Sequence, residues 1–299
     1  MKTFPTPTVF PSMHRLIPLL LFLFLSLVGR AATSLDEAKK LIDQRNYSAA
    51  RQMLERLTAA EPGNAEAFFQ LGRAAMTLDD DPATAVSALE KATELSPANS
   101  RYQQRLGDAY GRSAQKAGVF SKFGLARKCK AAYEKAVELD PKNIDAHFSL
   151  LGYYQQAPGI AGGGMDHAYA EAEVIKKLDP TRGRTAFATL YLAEKKYSEA
   201  IGLYDAILKD NPSDYGALYA IGRIAAITGE QLEKGLVALR KCLELTPPAD
   251  LPGHAAAHWR IGNILEKQGD KSAARAEYQA ALKVDAKFQQ AIDSLKKLN

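Results

Sequence analysis

Apolar residues recur three and four positions apart along most of the chain, the spacing that builds one apolar stripe on an α-helix. In the first such stretch Leu35, Ala38, Leu41 and Ile42 form one stripe, Asn46-Tyr47 makes a turn, and Ala50, Leu54 and Leu57 form a second. Pro62-Gly63-Asn64 ends the unit. A proline ring clashes with the preceding helical turn and its nitrogen has no hydrogen to donate. No stretch alternates apolar and polar residues in the manner of a strand, so the pattern predicts an all-helical chain.

The two-helix unit recurs. Its second helix closes on Lys-Ala-Thr-Glu-Leu-Ser-Pro at 91–97, Lys-Ala-Val-Glu-Leu-Asp-Pro at 135–141, Lys-Lys-Leu-Asp-Pro at 176–180 and Lys-Cys-Leu-Glu-Leu-Thr-Pro at 241–247. Its first helix carries an apolar residue followed by glycine: Leu71-Gly72, Leu106-Gly107, Ile221-Gly222 and Ile261-Gly262. In the fifth unit Phe187-Ala188 stands there instead. Small residues at these places allow the two helices of a unit to pass closely, and bulk at Gly72 would push them apart. The repeats divide the chain at about 33–64, 65–99, 100–143, 144–180, 181–214, 215–248 and 255–287, with a last helix over 288–299. That helix carries Ala291, Ile292, Leu295 and Leu298 on one side and Lys296-Lys297 outside, as a terminal unit with no further neighbour requires.

Phe68, Leu71-Gly72 and Ala75, followed by Ala85, Leu89, Ala92 and Pro97, resemble the tetratricopeptide repeat (TPR) family, whose pattern sets an aromatic, Leu-Gly and Tyr on one helix and Ala, an aromatic and Pro on the next. Leu106-Gly107 with Tyr110, then Tyr133, Ala136 and Pro141, repeats the resemblance. It covers nearly all of the chain beyond residue 31. It implies a right-handed α-solenoid of antiparallel helix pairs, a TPR superhelix of about seven repeats with a C-terminal capping helix. The motif is specific for fold and nearly silent on function.

Residues 1–31 read as a segment outside the fold. Lys2, His14 and Arg15 precede the apolar run Leu16–Val28, and Gly29-Arg30-Ala31 supplies small residues where a signal peptidase reads. The run is shorter than a bilayer span and contains Pro18. The expectation is a secretory signal cleaved near Ala31, a periplasmic or secreted protein, and no stable membrane insertion after cleavage; the alternative is an uncleaved anchor. Without Lys2, Arg15 and Arg30 the chain keeps 36 basic and 34 acidic residues, a balance of +2. That balance gives no support for nucleic-acid binding. Cys129 and Cys242 are the two cysteines. They lie in different repeats, where a bridge is not expected and each thiol fills a small packing position.

Two stretches depart from the repeat. The third unit holds about ten extra residues around Lys116–Arg127, which either lengthen both helices or form a protruding loop. Its Phe120 and Phe123 are expected to pack back on the repeat; the other reading is an apolar tip for a partner. The fourth unit joins its helices through Ala157–Gly164, rich in glycine. No Lys-Ser/Thr follows Gly164, and Asp166 would repel phosphate, so this is a bent loop rather than a phosphate cradle.

No catalytic constellation emerges. His254 and His258 share a helix face at i,i+4 spacing without a third ligand or a following Glu, so packing is the expected role of His258. His147 and His167 lie in repeat four without a matching Cys or carboxylate pattern. Asp79-Asp80-Asp81 lacks the spacing and closing Glu of a calcium loop. No Gly-x-Ser-x-Gly elbow occurs. The reading is a non-enzyme with no cofactor and no metal.

The family resemblance places first helices along a concave face that takes an extended peptide or a partner helix. By matched positions that face would carry Arg73, Arg101, Arg105, Asp108, Tyr153, Arg182, Tyr219, Arg223, Trp259 and Asn263. Guanidinium groups take carboxylates through paired hydrogen bonds, and the lone Trp259 beside Arg260 offers a stacking surface. Chaperone-binding relatives use a clamp of Lys, Asn and Arg. Arg101 and Arg105 match it, but Lys39, Gln70 and Arg73 replace its asparagines, so the full clamp is not expected. The expected function is a scaffold or adaptor in the cell envelope that binds a protein or peptide with acidic groups. The alternative is a small-ligand receptor working with a periplasmic transporter. It would need the residues around 116–127 and 157–164 to close a pocket.

Overall fold

A computed structural model describes residues 34–77, 81–249 and 251–298. The expected signal segment, Asp79 and Asp80 lie outside these residues. Among the described residues there are helices and no strand, in agreement with the all-α reading.

The chain divides into two compact units, one ending at Ser149 and one beginning at Leu150. The first holds α1 (34–43), α2 (Tyr47–Ala60), α3 (Ala65–Thr77), α4 (Pro82–Leu95), α5 (Ser100–Lys116), α6 (Val119–Leu139) and the start of α7 (Ile144–Gln156). The second holds the rest of α7, then α8 (Met165–Leu178), α9 (Pro180–Ala193), α10 (Tyr197–Asp210), α11 (Tyr215–Thr228), α12 (Leu232–Glu244), α13 (His254–Lys267), α14 (Lys271–Val284) and α15 (Gln289–Leu298). Consecutive helices pack on one another from α2 to α6 in the first unit and from α8 to α15 in the second, and the first helices of neighbouring repeats also touch, α3 with α5 and α11 with α13. That is solenoid packing, in which each hairpin buries its apolar face on the next.

The close passage predicted at the small positions is real. A Cβ at Gly72 would stand 2.5 Å from Leu89 Cγ, and one at Gly107 would stand 2.5 Å from the Tyr133 ring. At Gly222 and Gly262 it would overlap Leu239 and Tyr278. Ala188 is fully buried in the same role in α9. Around these passages Leu54, Leu89, Leu190 and Ile264 are fully buried, each contributing about 1.5–3 kcal/mol relative to exposure.

Four repeats also share a start signal. Two residues after the terminating proline comes an Asx residue that caps the next helix. Asn64 accepts from Ala67 N, Asn99 from Tyr102 N, Asn143 from Ala146 N and Asp214 from Ala217 N. A cap satisfies an orphan N–H at the helix start and is typically worth about 1 kcal/mol. Pro180 behaves differently. It opens α9 at its first position, with Asp179 as the cap, where the missing N–H costs nothing.

The departures resolve as follows. The extra residues of the third repeat lengthen both helices, giving α5 17 residues and α6 21. Phe120 does not pack back on the repeat; it is 99 % exposed, and Phe123 is 44 % exposed. The lengthened hairpin carries them past the helices that would have covered them. The 157–164 loop holds a short 3₁₀ turn, Gly159–Ala161, and is tied to α7: Tyr153 Oη donates to Ala161 O at 2.7 Å and Gly164 N to Tyr154 O at 2.8 Å. Both cysteines are free and buried. The last helix covers its neighbour with Ala291, Leu295 and Leu298 and leaves Asp293, Lys296 and Lys297 exposed.

Candidate partner-binding face

In the first unit the helices α1, α3 and α5 bring Lys39, Arg73, Arg101, Arg105 and Asp108 into one neighbourhood. Phe69 is its base. The ring is fully buried and stacks on Tyr102 at 4.6 Å between centroids. The Arg101 guanidinium lies 4.6 Å from the Phe69 centroid and that of Arg73 lies 5.8 Å from it. Apolar residues at helical spacing turn Phe69 inward, and the long arginine stems then lie along the surface above it.

Polar contacts fix the neighbours. Glu66 accepts from Tyr102 Oη and from Gln70 Nε2, each at 2.6 Å, and Lys39 Nζ is 3.7 Å away. Burial pushes the Glu66 carboxyl up, but those two hydrogen bonds and the Lys39 and Arg101 charges outweigh it and hold it below the usual carboxylate range. Gln70 in turn accepts from Arg73 Nη1 at 2.9 Å. Arg105 pairs with Asp108 at 2.9 Å, and Asp108 also accepts from Tyr133 Oη at 2.7 Å. Burial nonetheless raises the Asp108 carboxyl.

Two of the three arginines lack a direct carboxylate partner. Among the described residues, Arg73 and Arg101 form no ion pair with a carboxylate. Burial, and then the repulsion of Arg101 and Arg105, lower the affinity of the Arg73 guanidinium for its proton. Arg73 is half-buried and Arg101 is exposed, and Glu66 is the carboxylate that acts on both of them.

The second unit treats its expected residues differently. Tyr153 and Tyr219 are buried, at 9 % and 8 % exposure. Tyr153 is spent on the 157–164 loop, and Tyr219 stacks parallel to Tyr215 at 6.4 Å. Their side chains offer little surface to a partner. Trp259 donates to Ser294 Oγ at 3.0 Å and meets Phe288 edge-on, so it seats the capping helix, while Arg260 covers its face at 4.2 Å. Asn263 accepts from Tyr278 Oη at 2.8 Å. Arg182 is half-buried in the first turn of α9 and Arg223 is exposed on α11. His254 and His258 turn to separate partners, Leu245 O at 2.8 Å and Glu277 Oε2 at 2.7 Å. Among the described residues no three His, Cys, Asp or Glu side chains group as metal ligands, and no helix is long and apolar enough to cross a membrane.

Sequence reasoning missed Glu66, Phe69 and Tyr102. Phe69 stood next to the expected Phe68, and its place four residues before Arg73, which sets a ring beside a cation on one helix face, was the available signal.

Stacked helical hairpins with a small residue at each crossing define a helical-repeat scaffold. The tetratricopeptide repeat family matches by sequence over residues 35–100, 185–250 and 238–292, and a second model of the same repeat matches 114–143. The chain belongs to the tetratricopeptide repeat family, whose members generally act as non-catalytic protein-interaction scaffolds. No curated protein matches the chain. Among solved structures, a tetratricopeptide repeat protein from Parabacteroides merdae is similar at 15 % identity with a TM-score of 0.61, over 90 % of this chain and 98 % of that one. The thermophilic TPR protein TTC0263 from Thermus thermophilus is 22 % identical with a TM-score of 0.53, over 62 % of this chain and 94 % of that one. Yeast Tom70 is 17 % identical with a TM-score of 0.62, over 85 % of this chain and 51 % of that one. At such identities the likeness is one of fold.

Proposed function

We propose that this protein is a scaffold of the cell envelope, periplasmic or secreted after cleavage near Ala31, that binds an acidic protein or peptide segment on the Arg73–Arg101–Arg105 face. The observation that carries this reading is the pair of guanidiniums, Arg73 and Arg101, left without a direct carboxylate partner above the Phe69–Tyr102 stack. The small-ligand receptor has less support. The 157–164 loop is bound to its own helix, and Phe120 stands in solvent, so neither supplies a lid.

The test is fluorescence anisotropy with a glutamate-rich peptide and its glutamine counterpart. The glutamate peptide is expected to bind more tightly, with a steep dependence on salt. Arg73→Ala with Arg101→Ala should weaken it by about tenfold or more, in line with charge-assisted bonds worth about 1.5–3 kcal/mol. Equal binding of both peptides, or an unaffected double variant, would overturn the assignment of this face. Crosslinking in intact envelopes from a photoreactive residue at Thr77, exposed one turn beyond Arg73 on α3, would then identify the partner. N-terminal sequencing of the exported chain checks the location, and an intact Met1 would refute the cleavage.

A further inference from the structure

The α5–α6 hairpin carries a second and separate feature. Between Asp108 and Glu134 the sequence holds Arg112, Lys116, Lys122, Arg127, Lys128 and Lys130 and no acidic residue. Elsewhere in the repeats the charges are interspersed. The 21 residues of α6 exceed the 14 of α4 by seven, which lengthens the hairpin by roughly 10 Å at the helical rise.

The two helices part from their surroundings toward the tip. A Cβ at Gly111 would touch Cys129 Sγ at 3.4 Å, so there α5 and α6 are still in contact. Further out, a Cβ at Gly118 or Gly124 would meet nothing within 4 Å. Residues 120–124 are all exposed. Phe120 and Phe123, one helical turn apart, share a flank at this end, with Phe120 99 % exposed. Lys122 lies between the rings in sequence, Lys116 ends α5, and Arg127 follows about one turn back, all exposed, while Lys128 turns to Glu90 at 3.9 Å and to the Tyr110 ring.

We propose that this tip docks peripherally on an anionic lipid surface. The order of its groups matches the order of layers in such a surface. The rings stand outermost, where they reach the boundary between headgroups and acyl chains. The cations follow at the depth of the phosphates, their stems along the helix. Exposed rings at the end of a run of cations with no acidic residue complement an anionic bilayer, which favours it over an acidic protein. The site is independent of the arginine face on α3 and α5.

The test places a reporter at the tip. Phe120→Trp in the full chain adds a second tryptophan to Trp259, the native one. With vesicles of phosphatidylcholine containing about one third phosphatidylglycerol, the added emission should shift to the blue and be quenched by brominated acyl chains. Pure phosphatidylcholine should do neither. Lys122→Gln and Arg127→Gln should each lower partitioning by about fivefold, and Phe123→Ser should abolish the quenching. These comparisons hold residues 1–31 constant. Equal response to both vesicle types, or an introduced indole that stays in water while the chain sediments with lipid, would overturn the proposal. So would a shift produced by an acidic helical peptide and not by vesicles, which would make the tip a protein contact.

Discussion

Arg101 holds its guanidinium 4.6 Å from the centroid of the Phe69 ring, which is itself fully buried against Tyr102. The ring thus serves the core on one side and orients a cation on the other. Phe69→Leu keeps an apolar side chain but removes the π face. It should cost roughly 1–2 kcal/mol in denaturant melts, part of it from lost aromatic pairing. It should also weaken binding of a glutamate-rich peptide while Arg101 remains in place. A variant that loses stability and keeps full peptide affinity would show that Phe69 does not position Arg101.

Two glycines separate close packing from helix propensity. Gly107 faces Tyr133 with a Cβ position only 2.5 Å from the ring, whereas Gly202, exposed in the middle of α10, faces open space. Gly107→Ala should destabilise by about 1–3 kcal/mol through overpacking. Gly202→Ala should stabilise by about 0.5–1 kcal/mol because alanine loses less freedom in a helix. Thermal melts of both variants decide; equal signs would refute the contact at Gly107.

The helix pairs were legible because every unit obeys the same local rule. Apolar residues at three and four set each stripe, a small residue marks each crossing, and a proline marks most exits. The capping residues Asn64, Asn99, Asn143 and Asp214 stand two positions after a proline, a local signal that the sequence reading did not use, taking Asn64 only as the end of a unit. The binding residues were less legible, because their fate depends on partners far away in sequence. Glu66 meets Tyr102 and Trp259 meets Ser294, 36 and 35 residues apart. Nothing local tells that Tyr153 and Tyr219 are buried while Arg101 stays exposed. Phe120 and Phe123 went outward for a similar reason, since the covering surface they would need is absent beside a lengthened hairpin.

Acid should act on Glu66 and Asp108 with opposite signs. The Glu66 carboxyl is held below its ordinary value in the fold, so the unfolded chain takes the proton more readily. Its contribution is full above about pH 4.5 and is lost as pH falls through the lowered value. The Asp108 carboxyl is raised by burial, so the penalty for its charge is present at neutral pH and is relieved on acidification. Melts between about pH 7 and pH 4 should therefore show a shallower acid decline in Glu66→Gln than in the parent chain, and a steeper one in Asp108→Asn. Parallel curves for all three chains would refute both assignments.

The thiols should be inert in the folded chain. Burial pushes Cys129 and Cys242 up to about 12, and both are nearly or fully inaccessible. The reactive form is the thiolate. A disulfide reagent at mildly alkaline pH should label them only as fast as the protein opens, and both should react at once in denaturant. Stoichiometric labelling within seconds in native buffer would contradict the burial of these residues.

The capping helix is expected to hold the last repeat together, and Trp259 reports on it. Tyr278, Ala281 and Ala291 are fully buried in one cluster that includes Trp259, Phe288, Leu295 and Leu298. Removing residues 289–299 would uncover that cluster and break the Trp259–Ser294 hydrogen bond. As the only tryptophan in the chain, Trp259 should then emit to the red, and the truncated chain should melt earlier and self-associate through the bared face. Ser294→Ala removes the hydrogen bond alone and should cost only about 1 kcal/mol, with little change in emission. The contrast between the two isolates apolar coverage from polar anchoring. Unchanged emission and melting after truncation would mean that α15 does not cap the array.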